Sequence, residues 1–139
     1  MIKETRIKIT GKGGQGVKFL TNVLGKLFKN KNFKVSYFFL YDAAMRGGNI
    51  ESELVFSNNF NQSPMGENFD LLVMLSPAQA SYKKKSKKII KASNNMIALG
   101  MILKNLGFDL EKPALLKVLP ERNKDINLKA IEDSFHRES

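Results

Sequence analysis

Apolar residues recur along this chain at intervals of two and of three or four, and the switches between those periods divide it into alternating strands and helices. Ile7 and Ile9 alternate with polar neighbours and run into Gly11, which predicts a short first strand ending at a turn. Val17, Leu20, Leu24, Leu27 and Phe28 follow at helical spacing, with Asn30 to Asn32 as the stop, so a helix with one buried stripe comes next. Val35 to Leu40 is apolar or aromatic at every position except Ser36 and predicts a strand covered on both faces, as in parallel sheets. Strand, helix and strand together predict a βαβ unit with a right-handed crossover.

The second half is read in the same way. Ile50 to Phe56 opens with alternating apolar and polar residues, which predicts a strand with one exposed face and suits the edge of a sheet. Leu71 to Leu75 is a compact apolar run closed by Pro77 and predicts a buried central strand. The lysine-rich stretch that follows is expected to be a solvated helix face or a connector. Asn94 or Asn95 can cap a helix carrying Met96, Leu99, Leu103 and Leu106, with Gly107 to end it and Gly100 weakening it slightly. Asp109 to Leu119 predicts a shorter helix, provided Pro113 falls in its first turn, with Pro120 as the stop. A last helix is expected over Asn127 to Phe135. The implied fold class is α/β, a three-layer sandwich around a mostly parallel sheet with a Rossmann-like first βαβ unit. The absence of internal repeats and long linkers makes residues 1–139 a single expected domain.

Composition narrows the chemistry. The chain has no cysteine and one histidine, His136, so thiolate metal sites, disulfides, thiol nucleophiles and an imidazole cluster are all excluded, and no metal-binding or catalytic residue is assigned. No apolar run is long enough to span a membrane, and the N-terminus opens no secretory segment, so a cytoplasmic protein without membrane contact is expected. The formal charge of +10 favours an acidic partner, and six lysines between Lys83 and Lys91 concentrate part of it.

The candidate chemistry lies in Gly11, Lys12, Gly13, Gly14, Gln15 and Gly16, which carry the spacing G-x-G-x-x-G between a predicted strand and a predicted helix. Glycines there let the backbone turn with positive φ and approach a bound group, while the helix N-terminus aims free N–H groups at an anion and Lys12 adds a full charge. The competing reading is a tight turn with close helix packing and no ligand. A dinucleotide site would also need an acid near the end of the second strand; Asp42 comes somewhat late for that role and reads equally as a turn residue.

Two segments taken together, Gly11 to Val17 and Tyr41-Asp42-Ala43-Ala44-Met45-Arg46-Gly47-Gly48, resemble the G-x-G-G-Q-G-V and Y-G-P-E-x-R-G-G loops of the gamma component of pyruvate and 2-oxoglutarate ferredoxin oxidoreductases. Indolepyruvate oxidoreductase small subunits share the pattern. Weaker agreement extends through Ser63-Pro64, Asp70 to Met74, Asn95-Met96 to Leu99-Gly100 and Asn127 to Ile131, so the resemblance covers nearly the whole chain. Ala43 and Ala44 stand in place of the family's Pro and Glu, Asp42 in place of a Gly, and Leu75 in place of an Asn. Between Tyr82 and Asn95 the sequence reads as a lysine-rich connector where the family has a further strand and helix, which implies a shortened member.

The resemblance implies a subunit that is not catalytic alone, within a complex that converts a 2-oxoacid to an acyl-coenzyme A. Thiamine diphosphate and iron–sulfur clusters would sit on alpha, beta and ferredoxin-like partner subunits, and coenzyme A would meet this chain at an interface. Lys12 and the Gly13 to Gly16 turn, with Arg46, Gly47 and Gly48, would then hold phosphate or a partner carboxylate. Arg46 pairing with Asp42 or Glu51 is the competing structural reading. The alternative functions are a stand-alone nucleotide- or coenzyme-A-binding module and a diverged non-enzymatic interaction protein. Self-association is compatible with the sequence. Nucleic acid is disfavoured as a partner, because Phe38, Phe39 and Tyr41 read as core and sheet-end packing and no RNA-binding motif accompanies them.

Overall fold

The computed structural model describes residues 4–41, 48–58, 68–78 and 80–137. Within them the elements run β1 (Glu4–Lys12), α1 (Val17–Asn30), β2 (Lys34–Tyr41), β3 (Asn49–Ser57), β4 (Phe69–Met74), α2 (Ala80–Lys84), β5 (Ser86–Lys91), α3 (Asn95–Asn105), α4 (Lys112–Val118) and α5 (Lys124–Phe135). The strands form one sheet in the order β2-β3-β1-β4-β5. β4 lies parallel to β1 and to β5, while β3 lies antiparallel to both β1 and β2. Only β3 is therefore reversed, and the sheet is mostly parallel in strand direction.

This arrangement inserts a strand into the first βαβ unit and corrects two expectations. The strands of the first βαβ unit are not neighbours, because β3 is inserted between β1 and β2 and pairs with each along its length. β3 is thus internal rather than an edge; its face away from α1 is covered, and even Glu53 is buried. β2 takes the edge in its place, and its aromatic run is only half-buried, with Leu40 and Tyr41 exposed. Continuous hydrophobicity suggested a strand enclosed on both faces, but a short aromatic edge strand produces the same run.

The lysine-rich stretch is also not a connector. It forms α2 and then β5, which pairs with β4 from Phe69↔Ser86 to Met74↔Lys91. The strand expected to be missing from a shortened chain is present. Its lysines hid it because an edge strand needs few apolar residues, and here only Ile90 is buried.

Helices cover both faces of the sheet. α1 packs on β1, β2 and β3 and touches α3 and α4, while α5 packs on α3, and this layer encloses the main core. Buried α1 positions Val17, Leu20, Leu24, Leu27 and Phe28 are those of the sequence stripe. Phe28 stacks on Phe56 at 4.0 Å between ring centroids, with Phe33 and Phe108 meeting the same pair. The Thr21 hydroxyl donates to the Val17 carbonyl at 2.8 Å and accepts from Ser52 on β3 at 2.8 Å, so the polar pair beneath α1 is satisfied. On the opposite face α2 brings Tyr82 over β1 and β3.

Local signals set the helix ends. Asn94 caps α3 by accepting from the Ile97 N–H at 2.9 Å, Gly107 follows it with φ +79°, and Pro113 lies in the first turn of α4. Gly100, mid-helix in α3, stands against Ile131 and Ser134 of α5, where a Cβ would run into the carbonyl and the hydroxyl. The residue that lowers helix propensity is the one that lets the two helices approach.

Candidate functional site

The carboxyl ends of β1, β2 and β4 and the start of β3 meet on one rim of the sheet. Lys12 pairs with Asn49, and Tyr41 with Ile50. The Leu75 N–H, just beyond β4, donates to the Thr10 carbonyl at 2.8 Å. Ligands in open α/β sheets bind outside this carboxyl rim, and the glycine loop leaves β1 there. The Gly13 N–H donates to the Gly48 carbonyl at 3.2 Å, which ties the loop to the residue that closes the second glycine segment. Asp42, Arg46 and Gly47 lie outside the described residues, as do Ser63 and Pro64.

The residues of the loop divide into two groups. Gly11 is buried, and a Cβ there would lie 2.5 Å from Val17 Cγ2 and 3.5 Å from Leu75, so this glycine serves close packing. Gln15 is used inside the fold: its Oε1 accepts from the Lys12 N–H at 2.6 Å and its Nε2 donates to the Leu75 carbonyl at 2.9 Å. One side chain thereby locks the turn and fastens β1 to the end of β4. Gly16 has φ +80° and meets Asn95, the first residue of α3, so closely that a Cβ would overlap the amide. Lys12, Gly13 and Gly14 are exposed.

The open group forms an electropositive turn. Gly16 is the N-cap of α1, no side chain caps it, and the first turn holds no acid. Among the described residues the N–H groups of Gly14, Gly16 and Val17 meet no acceptor, so the helix start keeps free donors and the positive end of its dipole. Lys18 adds a second cation in the first turn, with its Nζ 4.9 Å from the Tyr41 ring centroid and 5.8 Å from that of Phe39. Sequence reasoning missed Lys18, although its place as the second residue of a helix starting at Val17 was available as a signal. It also missed Asn95 as the neighbour of Gly16. A cationic turn whose backbone donors no described residue engages, and whose helix has no acid in its first turn, can hold a phosphate or a carboxylate.

A second polar group lies on the opposite face of the sheet. Lys8, 1% exposed, places its Nζ 3.1 Å from Glu51 and 3.3 Å from Glu53, and 4.5 Å from the Tyr82 ring centroid. The Tyr82 hydroxyl donates to Glu51 at 2.7 Å. Burial pushes that hydroxyl up to about 12, and its bond to Glu51 and the charges of Glu51 and Glu53 act in the same direction. Glu51, one of the acids weighed as a partner for Arg46, is thus engaged with Lys8 and Tyr82. His136 ends α5 as an exposed residue against Phe135.

Fold and loop together define a Rossmann-like α/β module that presents a glycine-rich, cationic strand-to-helix turn at the carboxyl rim of its sheet. Residues 6–92 match the family described as pyruvate ferredoxin/flavodoxin oxidoreductase, and the chain belongs to that family. Comparison with curated proteins returns no match. Among solved structures the chain is similar to the pyruvate oxidoreductase subunit PORC of Thermotoga maritima, at 17% identity and a TM-score of 0.70, over 97% of each chain. It is also similar to the gamma subunit of a keto/oxoacid ferredoxin oxidoreductase from Geobacter sulfurreducens, at 20% identity and a TM-score of 0.68, over 94% of this chain and 96% of that one. A third likeness, at 16% identity and a TM-score of 0.69, is to 2-oxoglutarate:ferredoxin oxidoreductase from Magnetococcus marinus, solved with 2-oxoglutarate, coenzyme A and succinyl-CoA bound; it spans 96% of this chain and 30% of that one.

Proposed function

We propose that this chain, a single domain over residues 1–139, is the gamma-type subunit of a 2-oxoacid:ferredoxin oxidoreductase, and that its glycine turn contacts phosphate of coenzyme A at the junction with partner subunits. Family membership supports the reaction class. The observation that carries the site is the start of α1, with N–H groups at Gly14, Gly16 and Val17 that meet no acceptor among the described residues, Lys12 and Lys18 beside them, and no acid in the first turn. Coenzyme A is polyanionic, so these donors and charges match its phosphates. Gly48, held to Gly13, extends the surface, and Arg46 and Gly47 of the same segment are proposed to complete it.

Decarboxylation and electron transfer belong to other chains in this reading. The sequence has no cysteine to ligate an iron–sulfur cluster, so clusters and thiamine diphosphate are assigned to alpha, beta and ferredoxin-like partners. Among the described residues no helix is long and apolar enough to cross a membrane, and the working location is the cytoplasm.

The test is coexpression with the large subunits, followed by coenzyme A titration calorimetry on the purified complex. Lys12 is exposed and Gly13 has room for a methyl group, its nearest neighbour being the Gly48 carbonyl at 4.0 Å from an added Cβ, so neither change disturbs packing. Lys12→Ala is expected to weaken coenzyme A binding about tenfold or more, the loss of one charge-assisted hydrogen bond. Unchanged affinity in Lys12→Ala and Gly13→Ala would remove the phosphate contact. Failure to purify with any thiamine-binding subunit would remove the subunit assignment. Equal coenzyme A binding by the chain alone would instead identify a stand-alone module.

A further inference from the structure

The lysine-bearing edge of the sheet is separate from the glycine rim and is not used by the function proposed above. β5 is the terminal strand, so among the described residues its outer backbone edge has no pairing partner. Lys83, Lys84, Lys85, Lys87, Lys88 and Lys91 are all exposed along α2 and β5, and Lys87 with Asp70 at 3.2 Å is the one ion pair they make among the described residues. Strand alternation sorts the edge. The register Asp70↔Lys87, Leu72↔Ile89 and Met74↔Lys91 follows from the β4–β5 pairing and puts Lys87, Ile89 and Lys91 on one face, where Ile89 is 41% exposed. Ile90 turns the other way into the core.

We propose that this edge receives an extended acidic segment of a partner protein, added as a sixth strand beside β5. A strand laid there would place side chains opposite Lys87, Ile89 and Lys91, and the complementary pattern is acid, any residue, apolar, any residue, acid. A second copy of β5 is the wrong occupant, because it would set lysines against lysines; edge lysines oppose self-pairing for this reason. A nucleic acid would use the lysines but would leave both the apolar Ile89 and the strand's unpaired peptide groups without a role. Only an acidic strand uses all three features.

The probe is a synthetic peptide with the core Glu-Thr-Val-Thr-Glu, whose symmetry serves either strand direction, offered to the full chain. Two comparison probes are a peptide of the same composition with the core Glu-Val-Thr-Thr-Glu and a single-stranded oligonucleotide of comparable charge. The expected result is preferential binding of the first peptide, with slowed hydrogen exchange confined to β5. The double substitution Lys87→Glu with Lys91→Glu should weaken that binding about tenfold or more, and a Lys-Thr-Val-Thr-Lys peptide should bind the doubly substituted chain. Both substitutions fall on exposed side chains, and far-ultraviolet circular dichroism of the variant checks that it folds. Equal binding of the two acidic peptides, tighter binding of the oligonucleotide, or no added protection in β5 would each overturn the proposal.

Discussion

Lys8 on β1 and Glu53 on β3 face each other across the antiparallel pair, 3.3 Å apart, under α2 and almost out of reach of water. Glu51 shares the same ammonium, and Glu53 Oε2 has no hydrogen-bond partner among the described residues. Two carboxylates about one cation make this cluster sensitive to the loss of that cation. Lys8→Met is therefore expected to destabilise the fold by about 3–5 kcal/mol, because it strands buried negative charge. Adding Glu53→Leu to Lys8→Met should cost less than the two single changes summed. Urea unfolding of the four proteins in the cycle measures the coupling, and additive costs would show that the two residues act independently.

Tyr82 closes the same cluster, and its raised pKa sets a direction for alkaline stability. Folding disfavours the phenolate, so this contribution is fully present below pH 10 and is lost as pH rises from 10 towards about 12. The unfolding midpoint of the native chain should fall across that window more steeply than that of Tyr82→Phe. The phenolate absorbance difference between the two proteins should titrate near 12. A difference curve centred at 10 would mean that the ring stands in ordinary solvent.

A glycine inside a helix ordinarily costs stability relative to alanine. Gly100 should behave in the opposite way, because a Cβ there meets the Ile131 carbonyl and the Ser134 hydroxyl of α5. Gly100→Ala is expected to destabilise by about 1–3 kcal/mol as the helices are forced apart. Thermal unfolding checks it. A gain in stability would show that α5 moves aside freely.

The same residue shows how far the sequence could be read. Helical spacing found α1 and α3, Asn94 and Gly107 marked the ends of α3, and the apolar run from Leu71 identified β4 as a buried strand, because each signal is local, although the centre of the sheet is β1. Strand order is not local. Nothing in Ile50 to Phe56 shows that it inserts between β1 and β2, and its polar residues Glu51 and Glu53 suggested solvent when their partner was Lys8, 43 and 45 positions away in the chain. β5 was hidden by its lysines for the reason already given. In the glycine loop the motif was visible, but its division of labour was not. Whether Gln15 faces a ligand or braces the turn depends on the Leu75 carbonyl, which arrives from another strand.

That brace supports the last prediction. Position 15 needs an acceptor for the Lys12 N–H and a donor for the Leu75 carbonyl, and the Gln15 amide supplies them from its Oε1 and Nε2. Gln15→Glu keeps the acceptor, replaces the donor with a carboxylate oxygen facing the carbonyl, and sets a negative charge beside the uncapped start of α1. Stability should fall by about 1–3 kcal/mol. Coenzyme A affinity of the assembled complex should fall as well, since the new charge opposes phosphate and competes for the same helix N-terminus. Gln15→Ala removes the brace without adding charge, so it separates the two effects: a comparable stability loss with a smaller loss of affinity is expected. Equal affinity losses in the two variants would mean that the turn acts by its shape rather than by its positive field.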